Sequence, residues 1–351
     1  MAEDAPTFAG KIFTVLNNSF LAMGLELGTR LGIIDYLIKT DKSQSSDEIA
    51  KGMGFKERLM AVGGIVDVAD EKFSIPAHRV PVLSTTSSQN AANFGWAVSV
   101  CAGVTEELLE CFKLDGPTGL PYDKFPTLHP WRDFSMEMVY TEEEMMKSIN
   151  MVPGLLEKLE SGITMCDLGC STGVIAMKYA QTFPKCTVYG YDISRDSLAT
   201  AEEKAAKLGL TNVHFEYQDC CNMPDDWSEK WEYIHVYDVV HDVPQSAKFL
   251  CEIYRCLKPG CASTIAISDI NMHKNVEDNV AVPYSPFIYG FSLYHCMTVS
   301  LESDGMGLGA AWGVEKAVEL MKTAGFTKVE LKTFENAFQA YFACFREKVK
   351  D

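Results

Sequence analysis

The chain has 351 residues, 47% hydrophobic and 23% charged, a balance that belongs to a globular protein with a sizeable core and excludes wholesale disorder. At roughly 100–200 residues per domain, the length predicts two domains or one large domain with an appendage. A net charge of −17 sets an average field that repels nucleic-acid phosphates and anionic lipid, and no apolar run approaches the roughly 18–20 residues of a bilayer span, so neither nucleic acid nor membrane is an expected partner.

The first residues, Met1-Ala-Glu-Asp-Ala-Pro, lack the basic and apolar regions of a secretory signal, and the twelve cysteines fall mostly inside apolar stretches. Both features predict a reduced, cytoplasmic protein. No C-x-x-C occurs, and Cys251, Cys256 and Cys261 cannot converge on a helix that stops at Pro259-Gly260, so no metal is expected.

Residues 11–90 read as short helices followed by a β-ribbon. Leu21 to Leu37 has apolar residues at helical spacing, with Gly24, Gly28 and Gly32 on one face, where small residues let another backbone approach. That face predicts a homodimer. Ser46-Asp-Glu-Ile-Ala begins with a helix cap, Lys56–Asp67 has a helical pattern, and Glu71 to Val80 reads as strand, turn, strand. This is the order of a winged helix. Few basic residues lie where a recognition helix would sit, and Gly63-Gly64 interrupts it, so dimerisation or a lid is the expected role and DNA reading the alternative.

Residues 91–160 read as a helical connector, broken at Asp115-Gly-Pro-Thr-Gly-Leu-Pro, with a boundary near Gly162. From 161 to 351 short apolar runs alternate with amphipathic segments, the pattern of an α/β domain with a doubly wound parallel sheet. Strands are predicted at 163–168, 187–192, 213–218, 233–239 and 263–269, and helices at 173–183, 194–208, 246–257 and 314–324. The last strands, 327–334 and 338–346, are separated by a short turn and should be antiparallel.

Thr164-Met-Cys-Asp-Leu-Gly-Cys-Ser-Thr-Gly-Val sets an apolar strand before a Gly-rich turn and a helix, at the strand edge where such sheets bind ligands. Its spacing, D-x-G-x-x-x-G, differs from the dinucleotide fingerprint, and an acid at the mouth of the loop suits a cationic ligand better than a pyrophosphate. S-adenosylmethionine, with a sulfonium and an ammonium and no phosphate, is such a ligand. The next two strands end in Asp192, placed to accept from ribose hydroxyls, and Asp219, placed to accept from an adenine amine. Each alone reads as a loop-capping Asp, but three consecutive strand ends carrying acids are poorly explained by chance.

The segment Asp167-Leu-Gly-Cys-Ser-Thr-Gly173, followed by Asp192, Asp219 and Leu257-Lys-Pro-Gly260, resembles the class I S-adenosylmethionine-dependent methyltransferases over about residues 160–351. The resemblance implies a Rossmann-like methyltransferase sheet. It also implies that Asp167, Gly169 and Gly173 line the methionine part of the cofactor, Asp192 the ribose, and Asp219 with Cys220 the adenine, with Cys170, Ile193 and Asp238 also against the cofactor. Ser171 departs from the family's usual Gly, which narrows the loop's backbone choice. With the amino-terminal module, the stretch Pro286 to Met297 and the loop Gly307–Gly313, the likeness extends to the winged-helix methyltransferases and nearly the whole chain.

Methyl transfer from a sulfonium is an in-line displacement, catalysed mainly by alignment and water exclusion. The fourth strand runs into His241-Asp242, similar to the His-Asp pair of plant-type small-molecule O-methyltransferases, where the His is the base; elsewhere in class I a His here is structural. Residues 271–312 form an insertion long enough to be a lid, and Phe287, Phe291, Tyr294, His295 and Trp312 on it, with Trp131, Phe134, Met138 and Tyr140, predict an aromatic pocket for a small acceptor. Packing of the same residues into the core is the competing reading. His295-Cys296 offers two metal-type ligands, which do not make a site. A winged-helix regulator and a methyltransferase fold without catalysis remain the alternatives.

Overall fold

The computed structural model describes residues 5–54, 65–267, 272–333 and 340–347. The chain forms two compact units, Met1–Gly103 with Pro130–Thr141, and Val104–His129 with Glu142–Asp351. The expected connector is thus shared between them, and residues 104–129 join the sheet-containing unit.

In the first unit a long helix, Ala5–Arg30, is separated from Ile33–Thr40 by Gly32, whose φ of 70° lies in the left-handed region open to glycine. Strand β1 (Gln44–Ser45) leads into the helix Ser46–Met53, capped by Ser45 rather than Ser46: the Ser45 hydroxyl accepts from Glu48 N–H, and Glu48 accepts from Ser45 N–H. Strands β2 (Asp67–Ala69) and β3 (Lys72–Ser74) complete a three-stranded antiparallel sheet in the order β1-β3-β2. The ribbon comes earlier than the sequence pattern suggests. Asp70 and Glu71, at φ 49° and 58°, make the tight turn, and the chain after Ser74 goes into a 3₁₀ turn at Ala77–Arg79. Most of the expected helix Lys56–Asp67, with Gly63-Gly64, lies outside the described residues; its last residue, Asp67, is in β2.

The second unit is built on a seven-stranded sheet ordered β6-β5-β4-β7-β8-β10-β9. Strands β4 (Thr164–Leu168), β5 (Thr187–Asp192), β6 (Val213–Tyr217), β7 (Trp231–Tyr237) and β8 (Leu257–Ile267) are parallel, while β10 (Ala340–Arg346) runs antiparallel to both β8 and β9 (Lys328–Thr333). Helices Val174–Thr182, Arg195–Lys207, Ser246–Cys256 and Val314–Thr323 match the expected positions within two residues. Strand order reverses at β4 and β7, and ligands of such sheets bind at the carboxyl ends beside this switch point. Trp231, Tyr191, Phe249, Ile253, Met321 and Phe342 are among the side chains that bury the core, and Trp312 is part of it.

Strands β7 and β8 depart most from expectation, and β7 begins at Trp231, two residues before the expected start. Strand β7 stops at Tyr237, two residues early, because Asp238 turns to φ 62°. Strand β8 begins at Leu257, because Gly260 at φ 81° lies in an irregularity between the pairs Trp231↔Leu257 and Tyr233↔Ala262.

Candidate active site

The loop after β4 alternates backbone hands. Gly169, Ser171 and Gly173 have φ of 72°, 49° and 79°, so Ser171 adopts the conformation a glycine would take. The two glycines also lack room for a side chain: a Cβ at Gly169 would fall 2.5 Å from a Val239 methyl carbon, and one at Gly173 would fall 2.5 Å from the Phe215 ring. The amide groups of Gly169 and Cys170 both donate to Tyr191 O, at 2.8 and 3.0 Å, which ties the loop to β5.

Asp192 ends β5 and holds two backbone donors, Ser171 N–H on Oδ2 and Ser194 N–H on Oδ1, each at 2.8 Å. Burial pushes its carboxyl above the ordinary 3.8, against the opposing pull of those amides and of His129. Ile193 beside it is exposed. Asp167 is buried on β4, where Oδ1 lies 2.9 Å from Nδ1 of His235 and Oδ2 is buried with no hydrogen-bond partner among the described residues. Asp219 is spent in its own turn, accepting from Cys221 N–H at 2.9 Å and pairing with the Asn222 amide. Cys170 and Cys220 are buried, and burial pushes both thiols well above the ordinary range.

Past β7, the ring of His241 is buried between two carboxylates: Nε2 lies 3.2 Å from Asp242 Oδ1, and Nδ1 lies 3.9 Å from Asp238 Oδ1. Tyr122, from a 3₁₀ turn at Tyr122–Lys124, donates its hydroxyl to Asp242 Oδ2 at 3.0 Å. Burial first, and then the Asp242 carboxylate, hold that phenol protonated well above its usual range. The His295 ring packs edge-on against Tyr122 at 5.4 Å and Phe125 at 4.9 Å, and His129 stacks on Tyr122 at 6.4 Å.

The insertion is helical from Ser285 to Glu302, with one π turn at Ser292–Cys296. Single π turns are frequent at functional sites. This one carries Tyr294, His295 and Cys296, and Phe291 lies between Phe287 at 6.2 Å and His295 at 5.5 Å. Among the described residues, His241, Asp242 and Cys296 bring one nitrogen, one oxygen and one sulfur within 4.8 Å of one another, a grouping that the spacing in sequence did not reveal.

The structure therefore gathers Asp167, Gly169, Cys170, Gly173 and Asp192 around one loop, and His241, Asp242 and His295 around Tyr122. Trp312 is buried in the core cluster that also holds Cys220 and Val240, with Val239 packed against it. Trp131, Phe134, Met138 and Tyr140 belong to the first unit. There Trp131 packs on Phe94 and donates to Asn93 O, Phe134 packs on Trp96, Met138 is half-buried and Tyr140 is fully buried. Tyr122, Phe125, His129, His235 and Val239 escaped sequence reasoning because none sits in a motif.

A family model described as a methyltransferase domain matches residues 159–295. This part of the chain is a methyltransferase domain. A ubiquinone/menaquinone biosynthesis C-methyltransferase from Desulfotalea psychrophila is 27% identical over 175 residues, 48% of this chain and 67% of the relative. Several other curated relatives are matched over less than half of their length. Among solved structures, human N-acetylserotonin methyltransferase, in complex with its cofactor, has a TM-score of 0.67 at 17% identity and covers 99% of each chain. An O-methyltransferase family protein from Burkholderia thailandensis has a TM-score of 0.66 at 14% identity, over 99% of this chain and 100% of that one. The loop fits the cofactor in one respect: among the described residues, an unmatched buried carboxylate oxygen at Asp167 suits an ammonium group. Among the described residues no helix is long and apolar enough to cross a membrane.

Proposed function

We propose that this methyltransferase acts in the cytoplasm on a small apolar or aromatic acceptor and transfers the methyl group to oxygen. The observation that carries the reading is the chain Tyr122–Asp242–His241, one turn past β7, with Val239 of the same turn packed toward Gly169 of the cofactor loop.

When bound, S-adenosylmethionine supplies an electrophilic methyl group on a sulfonium. Asp167, Gly169, Cys170 and Gly173 would hold its methionine end, Asp192 and Ile193 the ribose, and Asp219, Cys220 and Asp238 the remaining edge. His241 removes the acceptor's hydroxyl proton at Nδ1, because Nε2 is held against Asp242. The Asp242 and Asp238 carboxylates stabilise the imidazolium that the proton leaves on His241, and the deprotonated oxygen would be the nucleophile toward the methyl group. Phe287, Phe291, Tyr294 and His295 present aromatic surface to the acceptor and exclude water.

The first unit serves as a winged-helix-like dimerisation module in this reading. Ile12, Val15, Phe20, Met23, Leu27 and Leu31 give the long helix and the residue after it an exposed apolar stripe. The glycine face expected from sequence is not that stripe: a Cβ at Gly28 would meet Ile34 of the same chain at 3.2 Å. Twelve free cysteines accord with a reducing compartment.

The test is incubation with methyl-labelled cofactor and matched panels of phenols, alcohols, amines and thiols, followed by mass identification of the product. Label on a hydroxyl oxygen is the expected result. Label carried only by amines, thiols or carbon would overturn the assignment to oxygen.

A further inference from the structure

Buried inside the sheet is a titratable group that the mechanism above does not use. His235 lies on β7 with no exposed surface, opposite Asp167 in the parallel register of β4 and β7, so the two side chains share one face of the sheet. Nδ1 and Asp167 Oδ1 are 2.9 Å apart, and the ring is enclosed by Tyr179 at 5.5 Å, Tyr237 at 6.2 Å and Tyr233 at 6.4 Å. A histidine flanked by three tyrosines has little room to swing. A carboxylate taken out of water is costly unless its oxygens are matched, and here one oxygen is matched while the other is buried without a partner among the described residues. The carboxylate lies two residues before Gly169, at the mouth of the loop. A slightly larger phenyl ring would supply the same apolar contacts to the three tyrosines, so packing alone does not call for an imidazole.

We infer that His235 is a positioning residue for the amino-acid end of the cofactor: it donates from Nδ1 to Asp167 Oδ1, fixes the rotation of that carboxylate, and so holds Oδ2 ready for the ligand's ammonium. The inference rests on the reading of Asp167 as the acid that meets the methionine part. Without the imidazole, the carboxylate can turn both oxygens away from the loop, and the ammonium loses a preset partner. The nucleoside part of the ligand, held by Asp192 on the far side of the loop, should be indifferent.

Calorimetry with two probes separates these effects: S-adenosylhomocysteine, which carries the ammonium, and 5′-methylthioadenosine, the same nucleoside thioether without the amino-acid part. His235→Phe should weaken S-adenosylhomocysteine by about ten- to a hundred-fold, the range of a hydrogen bond to a charged group, and leave methylthioadenosine within about two-fold. His235→Asn, whose amide can reach the place of Nδ1, should recover most of the loss and remains informative if the Phe variant fails to fold. Equal weakening of both probes, or no weakening, overturns the role of His235. Asp167→Asn tests the underlying reading separately. If it too leaves the preference for S-adenosylhomocysteine unchanged, Asp167 does not meet the ammonium; if it abolishes that preference while His235→Phe does not, only the histidine's role falls.

Discussion

Gly169→Ala probes the cofactor loop where the geometry is most restrictive. The residue sits at φ 72°, and the added Cβ would fall 2.5 and 2.9 Å from the two methyl carbons of Val239. An L-residue in the left-handed region costs roughly 1–2 kcal/mol. Overpacking against a neighbour that must shift adds about 1–3 kcal/mol. Together these give about 2–5 kcal/mol, which is roughly thirty-fold to several thousand-fold in affinity if the penalty falls on the cofactor-competent loop. Calorimetry with S-adenosylhomocysteine measures the loss. Val239→Ala in the same background removes both opposing methyl groups and leaves the backbone strain, so the double variant should bind within about five- to thirty-fold of Val239→Ala alone. Gly209→Ala is the control, because φ there is also positive, 67°, but the space around a Cβ is open. It should lower thermal stability without changing affinity. Binding by Gly169→Ala within about three-fold of wild type, or a double variant no better than the single one, would refute the steric argument.

His241→Ala should lower turnover by about two to four orders of magnitude with cofactor affinity unchanged, and Tyr122→Phe by about ten-fold through loss of the donor to Asp242. Dialysis against a chelator should leave the wild-type rate intact; loss of activity with release of stoichiometric zinc would replace the base role of His241 with metal ligation. The carboxyl of Asp192 is raised above 3.8 by burial, so its stabilising contribution is full below pH 3.8 and is lost as pH rises through the raised value. Sugar recognition has the opposite sign, because the ionised form offers both oxygens as acceptors. Affinity for S-adenosylhomocysteine should therefore fall as pH drops through that value, and Asp192→Asn should bind weakly with a flat profile; a flat wild-type profile from neutrality to the onset of acid unfolding would count against the carboxylate. Phe20→Glu with Met23→Glu should convert a dimer to a monomer in sedimentation, whereas a wild-type monomer at micromolar concentration would remove the exposed stripe from assembly.

The alternation of short apolar runs with amphipathic segments was enough to lay out β4 to β10: β4, β7 and β10 are buried on both faces and leave a nearly unbroken apolar signature, whereas the edge strands β6 and β9 are largely exposed. What escaped lies where pairing is non-local. Strand β8 begins six residues before the apolar run that marks it, because Leu257 pairs with Trp231 across the sheet and Gly260 absorbs the irregularity. The amino-terminal ribbon slipped for a similar reason: Asp70-Glu71 forms the turn through two left-handed residues, neither of them glycine, and no turn dipeptide announces it.

The site was legible in proportion to how closely topology ties it to sequence. Parallel strands bring their carboxyl ends to one edge, so Asp167, Asp192, Asp219 and the pair His241-Asp242 could be named as candidates from strand ends alone, although Asp219 is engaged in its own turn. Tyr122, Phe125 and His129 come from a remote segment, and His235 is found only through the register that sets it opposite Asp167. Ser171 was the one residue that argued against a working cofactor loop. At φ 49° it takes the left-handed conformation that a glycine would take, at a cost of roughly 1–2 kcal/mol. Its contact with Asp192 is made by the backbone N–H, which any residue but proline supplies. The departure therefore changes what the loop costs to form and leaves its hydrogen bonding intact, so it gives no support to a fold that has lost its chemistry.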